Sequence, residues 1–320
     1  MATRAVLASV RPSPQPRGWA IPFKALRLPL ALLGALLGAC ATPQAAPARL
    51  VAVDDAGDTV RLASSATRVV SLSPATTELV FALGAGRHLV GRTRWCDYPE
   101  AARAVPSVGD GIPPNIEAVL AARPDLVLLY RSAQNSAAAE RLRAAGVAVV
   151  QLDFNRLHDV SRLARLLAPL LGVAPAGDSL ATAFEAELAR VGAEVPAGCG
   201  ADSLACPRVL LLAWDQPPIA IGAGSFQGEI LEAAGGRNIF ADLPGPSATV
   251  SIEAIAARDP ALVLVGDSEP AVAGRPEWQV VSAVRGRRFV HFNPPAFGRP
   301  SPRAPAVIRE LRQALRGARP

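Results

Sequence analysis

The chain has 320 residues, 33 basic against 27 acidic side chains, half of its residues apolar and only 19% charged, a balance that excludes a disordered chain. Its isoelectric point near 9.9 would suit a nucleic-acid binder, but five basic residues (Arg4, Arg11, Arg17, Lys24, Arg27) precede Cys40 with no acidic one among them. Removing those five leaves 28 basic against 27 acidic residues, too even a balance for counterion release to drive nucleic-acid binding.

Residues 28–39 form an apolar run directly ahead of Cys40. The run is shorter than the ~20 residues a membrane-spanning helix needs. Basic residues before it and small residues at its end predict a secretory signal over 1–39. Leu37-Gly38-Ala39-Cys40 resembles the lipobox of bacterial lipoproteins, which implies acylation of Cys40 as the mature N-terminus and a membrane anchor. Residues 40–48, rich in Ala and Pro, then read as a tether. Export favours a disulfide between Cys199 and Cys206, which flank a short turn-rich loop, worth about 2 kcal/mol. Cys96 is left unpaired and reads as a small residue beside a site.

In chain order, Leu50–Val53 and Thr59–Leu62 flank Asp-Asp-Ala-Gly-Asp and predict a hairpin. Alternating β and α signals follow. Arg68–Leu72 is a strand, Ser73-Pro74 opens a helix closed by Gly84, and His88–Arg92 is another short strand. Asn115–Ala122 is a helix, Leu126–Tyr130 a buried strand, Ala137–Ala145 a helix and Val147–Leu152 a strand. Two helices come next, Asp159–Leu171 and about Gly177–Val195, each with apolar residues at helical spacing. The β/α pattern then restarts. Strands are predicted at Arg208–Ala213, Ile219–Ile221, Leu262–Gly266 and Phe289–Phe292, with helices at Gly228–Ala234, Ser251–Ala257 and Ala304–Leu315. Such alternation means mainly parallel sheets covered by helices.

Ile116-Glu117-Ala118-Val119 and Pro124-Asp125-Leu126-Val127-Leu128 return as Ile252-Glu253-Ala254-Ile255 and Pro260-Ala261-Leu262-Val263-Leu264, at a constant offset of 136 residues. The expected architecture is therefore α/β, with two Rossmann-like lobes over 49–156 and 199–320. A long rigid helical connector over 157–198 joins them and permits only modest closure.

Arg68-Val-Val-Ser-Leu-Ser-Pro-Ala-Thr-Thr-Glu-Leu and Gly91-Arg-Thr-Arg-Trp-Cys-Asp-Tyr-Pro resemble the periplasmic cobalamin and iron-siderophore binding proteins of ABC importers. Asn115-Ile-Glu, Gly235-Gly-Arg-Asn-Ile-Phe and Ser301-Pro-Arg extend the likeness over the chain from residue 50 onward. Trp-Cys-Asp-Tyr-Pro is most similar to the cobalamin-binding branch. The resemblance implies a non-catalytic, extracytoplasmic lipoprotein of the helical-backbone class III fold. It would capture a corrinoid, with no cofactor of its own, and deliver it to the permease dimer of an importer.

The residues support a broad, flat ligand independently. Such ligands need aromatic faces and stacked arginines. Scarce as aromatics are, Trp95, Tyr98, Trp214-Asp215 and Phe297-Gly-Arg299 follow strands and Tyr130-Arg131 end one, where open α/β sheets bind ligands. Asp97, beside Trp95, joins these candidate contacts. Tyr98 precedes Pro99, so a structural role is open for it as well. Glu117 and Glu253 sit two residues after the N-caps Asn115 and Ser251, and the helix dipole alone accounts for them. The resemblance instead implies that they dock onto the permease subunits.

The alternative ligand is a ferric siderophore or haem. Arg131 and Arg299 are a small basic set for an anionic chelate, and His88, His158 and His291 lack the context of haem ligands. No set of His, Asp and Glu residues suits a bare metal ion. Between Val108 and Asn115 the chain reads Gly-Asp-Gly-Ile-Pro-Pro, where the cobalamin branch leads one to expect a further aromatic contact. An exported enzyme is the contrasting class. Gly222-Ala-Gly224-Ser-Phe-Gln-Gly228 has the wrong spacing for a dinucleotide loop, no Gly-x-Ser-x-Gly occurs, and Lys24 is the only lysine.

Overall fold

The computed structural model describes residues 50–195, 206–266 and 269–318. The signal segment, Cys40, the tether and Cys199 lie outside the described residues. None of the described helices is long and apolar enough to cross a membrane.

The first lobe starts with an antiparallel hairpin, β1 (Leu50–Val53) and β2 (Thr59–Leu62). Asp54 organises its turn: Oδ1 accepts the amides of Ala56 and Asp58, and Oδ2 accepts that of Gln151, fastening the hairpin to the last strand of the lobe. Next come β3 (Val69–Ser71), α1 (Pro74–Ala82), β4 (Leu89–Arg92), α2 (Ile116–Ala121), β5 (Leu126–Tyr130), α3 (Ala133–Ala144) and β6 (Ala148–Leu152). The four strands β4-β3-β5-β6 pair in that order, all parallel. Leu126 to Leu129 are wholly buried, as a central parallel strand covered on both faces requires. Helix α3 starts four residues before the predicted point because Ser132 Oγ accepts the Asn135 amide and caps it there.

Two packed helices connect the lobes, α4 (His158–Leu170) and α5 (Ala174–Ala193). Leu163, Leu167 and Leu170 form the buried stripe of α4. The helices cross closely at Gly177, where a Cβ would lie 2.8 Å from the Ala164 carbonyl oxygen and 2.6 Å from the Ala168 Cβ.

The second lobe contains β7 (Arg208–Asp215), β8 (Pro218–Ile221), α6 (Phe226–Ala234), β9 (Arg237–Asn238), β10 (Ser247–Thr249), α7 (Ile252–Arg258), β11 (Leu262–Val265), α8 (Glu269–Gly274), α9 (Ser282–Arg285), β12 (Phe289–His291) and α10 (Ala304–Gly317). Its sheet runs β10-β8-β7-β11-β12, with β9 on β7. It is mixed, unlike the mainly parallel sheet expected: β8 is antiparallel to β7, and β10 to β8. Gln216-Pro217 alone joins β7 to β8, and two residues permit a hairpin but no crossover. Trp214 and Asp215, expected after the strand, are consequently its last two residues.

The repeat has a structural counterpart. Arg123 and Asp259, 136 positions apart, both adopt the left-handed conformation after their helices (φ 48° and 42°), and each precedes a proline and the next strand. Helix α10 is braced against α5: Arg309 pairs with Glu187 at 2.5 Å and Arg312 with Glu194 at 2.6 Å. Hydrogen bonds from Arg190 and Arg309 lower the pKa of Glu187 to about 2, so it stays charged well into acid.

Gly177→Ala should loosen the α4–α5 crossing. An overpacking cost of about 1–3 kcal/mol exceeds the gain in helix propensity of up to ~1 kcal/mol. Thermal unfolding should show a melting temperature lower by a few degrees; an unchanged or raised one would mean that the crossing has slack.

Candidate functional site

Each sheet ends in a cavity at the carboxyl ends of its parallel strands. In the first lobe a cavity of about 430 Å³ is lined by Leu72, Ser73 and Pro74 after β3, Thr93 and Trp95 after β4, Asp110, Ile112, and Tyr130 at the end of β5. Trp95 is 53% exposed, with the Arg94 guanidinium 4.6 Å from its ring centre. Arg94 also pairs with Asp110 at 2.5 Å. The Tyr130 hydroxyl donates to Asn155 Oδ1 at 2.9 Å, which turns its polar end back into the protein. Where a further aromatic contact was expected, Ile112 lines the cavity instead and is 52% exposed. Gly111 holds this segment in place at φ 89°; a Cβ there would meet the Leu72 carbonyl oxygen at 2.9 Å.

In the second lobe a cavity of about 490 Å³ is lined by the end of β7, by Gln227 and Gly266, and by Phe292, Asn293 and Phe297 after β12. Trp214 is 59% exposed and donates its indole N–H to the Gln216 carbonyl at 2.9 Å. Asp215 pairs with Arg275 at 2.9 Å. Phe297 is buried, edge-on to Phe292 with ring centres 5.2 Å apart.

Ionic contacts join the two cavity rims. Arg299 donates to Asp97 at 2.5 Å, and this pairing holds the Asp97 carboxyl below the usual aspartate range. Arg303 makes a two-pronged bond to Glu78 at 2.9 and 2.6 Å and lies 3.8 Å over the Tyr98 ring. Glu78 is 3% exposed. On another side, Glu229 of α6 accepts from Arg156 and from the Leu157 amide, both at 2.7 Å.

The expected contacts thus fall into three groups. Trp95, Tyr130, Trp214, Asp215 and Phe297 line the cavities, while Asp97, Tyr98 and Arg299 meet the opposite lobe. Arg131 is bonded to Asp153 and lines neither cavity. Glu117 and Glu253 are exposed on the first turns of α2 and α7. Sequence reasoning missed Glu78, Ile112, Gln227, Arg275 and Asn293. Only Glu78 carried a signal, as the one charged residue of its helix.

No histidine lines either cavity, and the described residues contain no group of three or more metal-ligating side chains. Cys96 is buried, its sulfur 3.1 Å from Thr93 Oγ1, so it packs beneath the first cavity. A larger hollow of about 550 Å³ lies away from the strand ends, among Cys206, Arg208, Arg237 and Arg258. Arg208 and Arg258 there are already paired with Asp259 and Asp242. It has no part in the site.

A profile described as periplasmic binding protein matches residues 69–296. The vitamin B12-binding protein of Pectobacterium carotovorum is 30% identical over 254 residues, covering 79% of this chain and 90% of that protein. The periplasmic vitamin B12 binding protein BtuF of Vibrio cholerae superposes with a TM-score of 0.67 at 25% identity, over 79% of this chain and 98% of that one. The periplasmic heme-binding protein RhuT from Roseiflexus sp. RS-1 gives 0.68 at 27% identity, over 80% and 99%. This chain belongs to the periplasmic binding protein family.

The Asp97–Arg299 pair should have a pH signature. Because the folded pKa is lowered, the pair contributes fully above the ordinary aspartate value of 3.8, and its contribution is lost as pH falls through the folded value. The melting temperature of wild type should exceed that of Asp97→Asn at pH 7, with the gap closing below that value. A gap that does not vary with pH would rule out a charge-based contribution from this pair.

Proposed function

We propose that this member of the periplasmic binding proteins is a non-catalytic lipoprotein that captures cobalamin between its lobes and delivers it to an ABC importer. One observation carries the reading: two indoles, Trp95 and Trp214, stand more than half exposed, one at the cavity of each lobe. Uncovered aromatic surface of that size, set over concave walls, suits a large flat ligand that completes the burial. The B12-binding relatives support a corrinoid in particular. The heme-binding neighbour keeps haem as the second reading.

Acylation of Cys40, the tether over 40–48, the Cys199–Cys206 disulfide and the division into lobes at 49–156 and 199–320 belong to the same proposal. So does docking through Glu117 and Glu253. Asn115 and Ser251 side chains accept the Ala118 and Ala254 amides and so cap both helices by themselves. Neither glutamate has a partner among the described residues, which leaves a matched pair of carboxylates for a two-fold permease.

Adding cyanocobalamin to the purified protein should quench tryptophan emission strongly, since Trp95 and Trp214 stand at the cavities. Trp95→Ala and Trp214→Ala should each weaken binding by roughly tenfold. A silent titration followed by strong quenching with haemin would move the assignment to the second reading. Reversing charge at both Glu117 and Glu253 should abolish uptake and leave the affinity for ligand intact. An equal loss of affinity would refute that separation of roles.

A further inference from the structure

We propose that Gln227 and Asn293 determine specificity, selecting an uncharged ligand fringed with carboxamides over its carboxylate counterparts. The inference rests on the corrinoid reading above and deepens it. It starts from which polar groups of the walls are already engaged. The aspartates at the cavities, Asp110 and Asp215, are neutralised within the protein by Arg94 and Arg275, and Asp97 at the rim is neutralised by Arg299. The polar ends of Tyr130 and Trp214 are bonded to Asn155 and to the Gln216 carbonyl. A ligand carboxylate entering this space finds every one of these arginines taken and three carboxylates nearby, so its desolvation goes uncompensated.

What remains is neutral. The side chains of Gln227 and Asn293, both lining the second cavity, have no hydrogen-bond partner among the described residues. Each carboxamide offers two donors and an acceptor, so it can exchange N–H···O=C bonds in both directions with a ligand carboxamide. A carboxylate can only accept, so it leaves their carbonyl oxygens without a donor. Asn293 also lies directly against Gly266. A Cβ at Gly266 would sit 3.1 Å from both the Cγ and the Nδ2 of Asn293, so glycine there leaves room for the amide to stand in the cavity.

The test uses the intact protein, cyanocobalamin, and cyanocobalamin whose propionamides have been hydrolysed to carboxylates. At pH 7 the hydrolysed form should bind about tenfold more weakly, or worse. Gln227→Leu and Asn293→Leu should each weaken cyanocobalamin several-fold and shrink the ratio between the two forms. Gly266→Ala, which shifts Asn293 without removing it, should shrink the ratio as well. Circular dichroism and melting temperature establish that each variant is folded. Equal binding of the two forms by wild type, or a ratio untouched in both leucine variants, overturns the inference while cobalamin capture stands. Loss of both corrinoids together with tight binding of dianionic haemin overturns the inference and the cobalamin reading alike.

Discussion

A carboxylate buried inside an α-helix needs a positive partner, and Glu78 of α1 finds it in the other lobe, in the two-pronged guanidinium of Arg303 just before α10. Removing such a partner leaves an uncompensated buried charge, which costs several kcal/mol where water is excluded. The spacing of the lobes is therefore set by the reach of one side chain as well as by the connecting helices. Arg303 covers the Tyr98 ring and Arg299 binds Asp97, so one short stretch of chain holds three residues of the opposite lobe. Arg156 and Glu229 make a further link between elements of the two halves. Arginine suits every one of these places because its planar fork can engage a carboxylate and a ring face without losing charge.

Within that frame the two walls follow one rule. The polar ends of Tyr130 and Trp214 are bonded back into the protein, and Asp110 and Asp215 are matched with Arg94 and Arg275. A wall of this kind loses little on desolvation and gains most from a guest with a wide apolar face. The α5–α10 joint is braced by the Arg309–Glu187 and Arg312–Glu194 pairs.

The periodic parts of the fold were legible in the sequence. Leucines at helical spacing in α4, the unbroken apolar run of β5, and the caps Asn115 and Ser251 each state their element locally. Strands β9 and β10 were not legible, since two or three residues held by their neighbours carry no pattern of their own. The antiparallel turn at Gln216-Pro217 could have been read from the shortness of the link. At the site, aromatics stood out because they are rare in this chain. Glu78 and Arg303 did not announce each other: 225 positions separate them, and nothing in local spacing encodes such a contact. Gln227 and Asn293 look like ordinary polar residues until their lack of partners is seen.

The repeat of 136 residues is preserved at α2 and α7 and fades at the cavities, where Ile112 and Tyr130 stand on one wall and Phe297 and two carboxamides on the other. The two lobes thus match at the starts of α2 and α7 and differ at the cavities. A planar guest consequently meets different chemistry above and below its plane, and turning it over exchanges an apolar surface for a hydrogen-bonding one. On the corrinoid reading proposed above, walls that differ in this way would hold the guest in a single orientation.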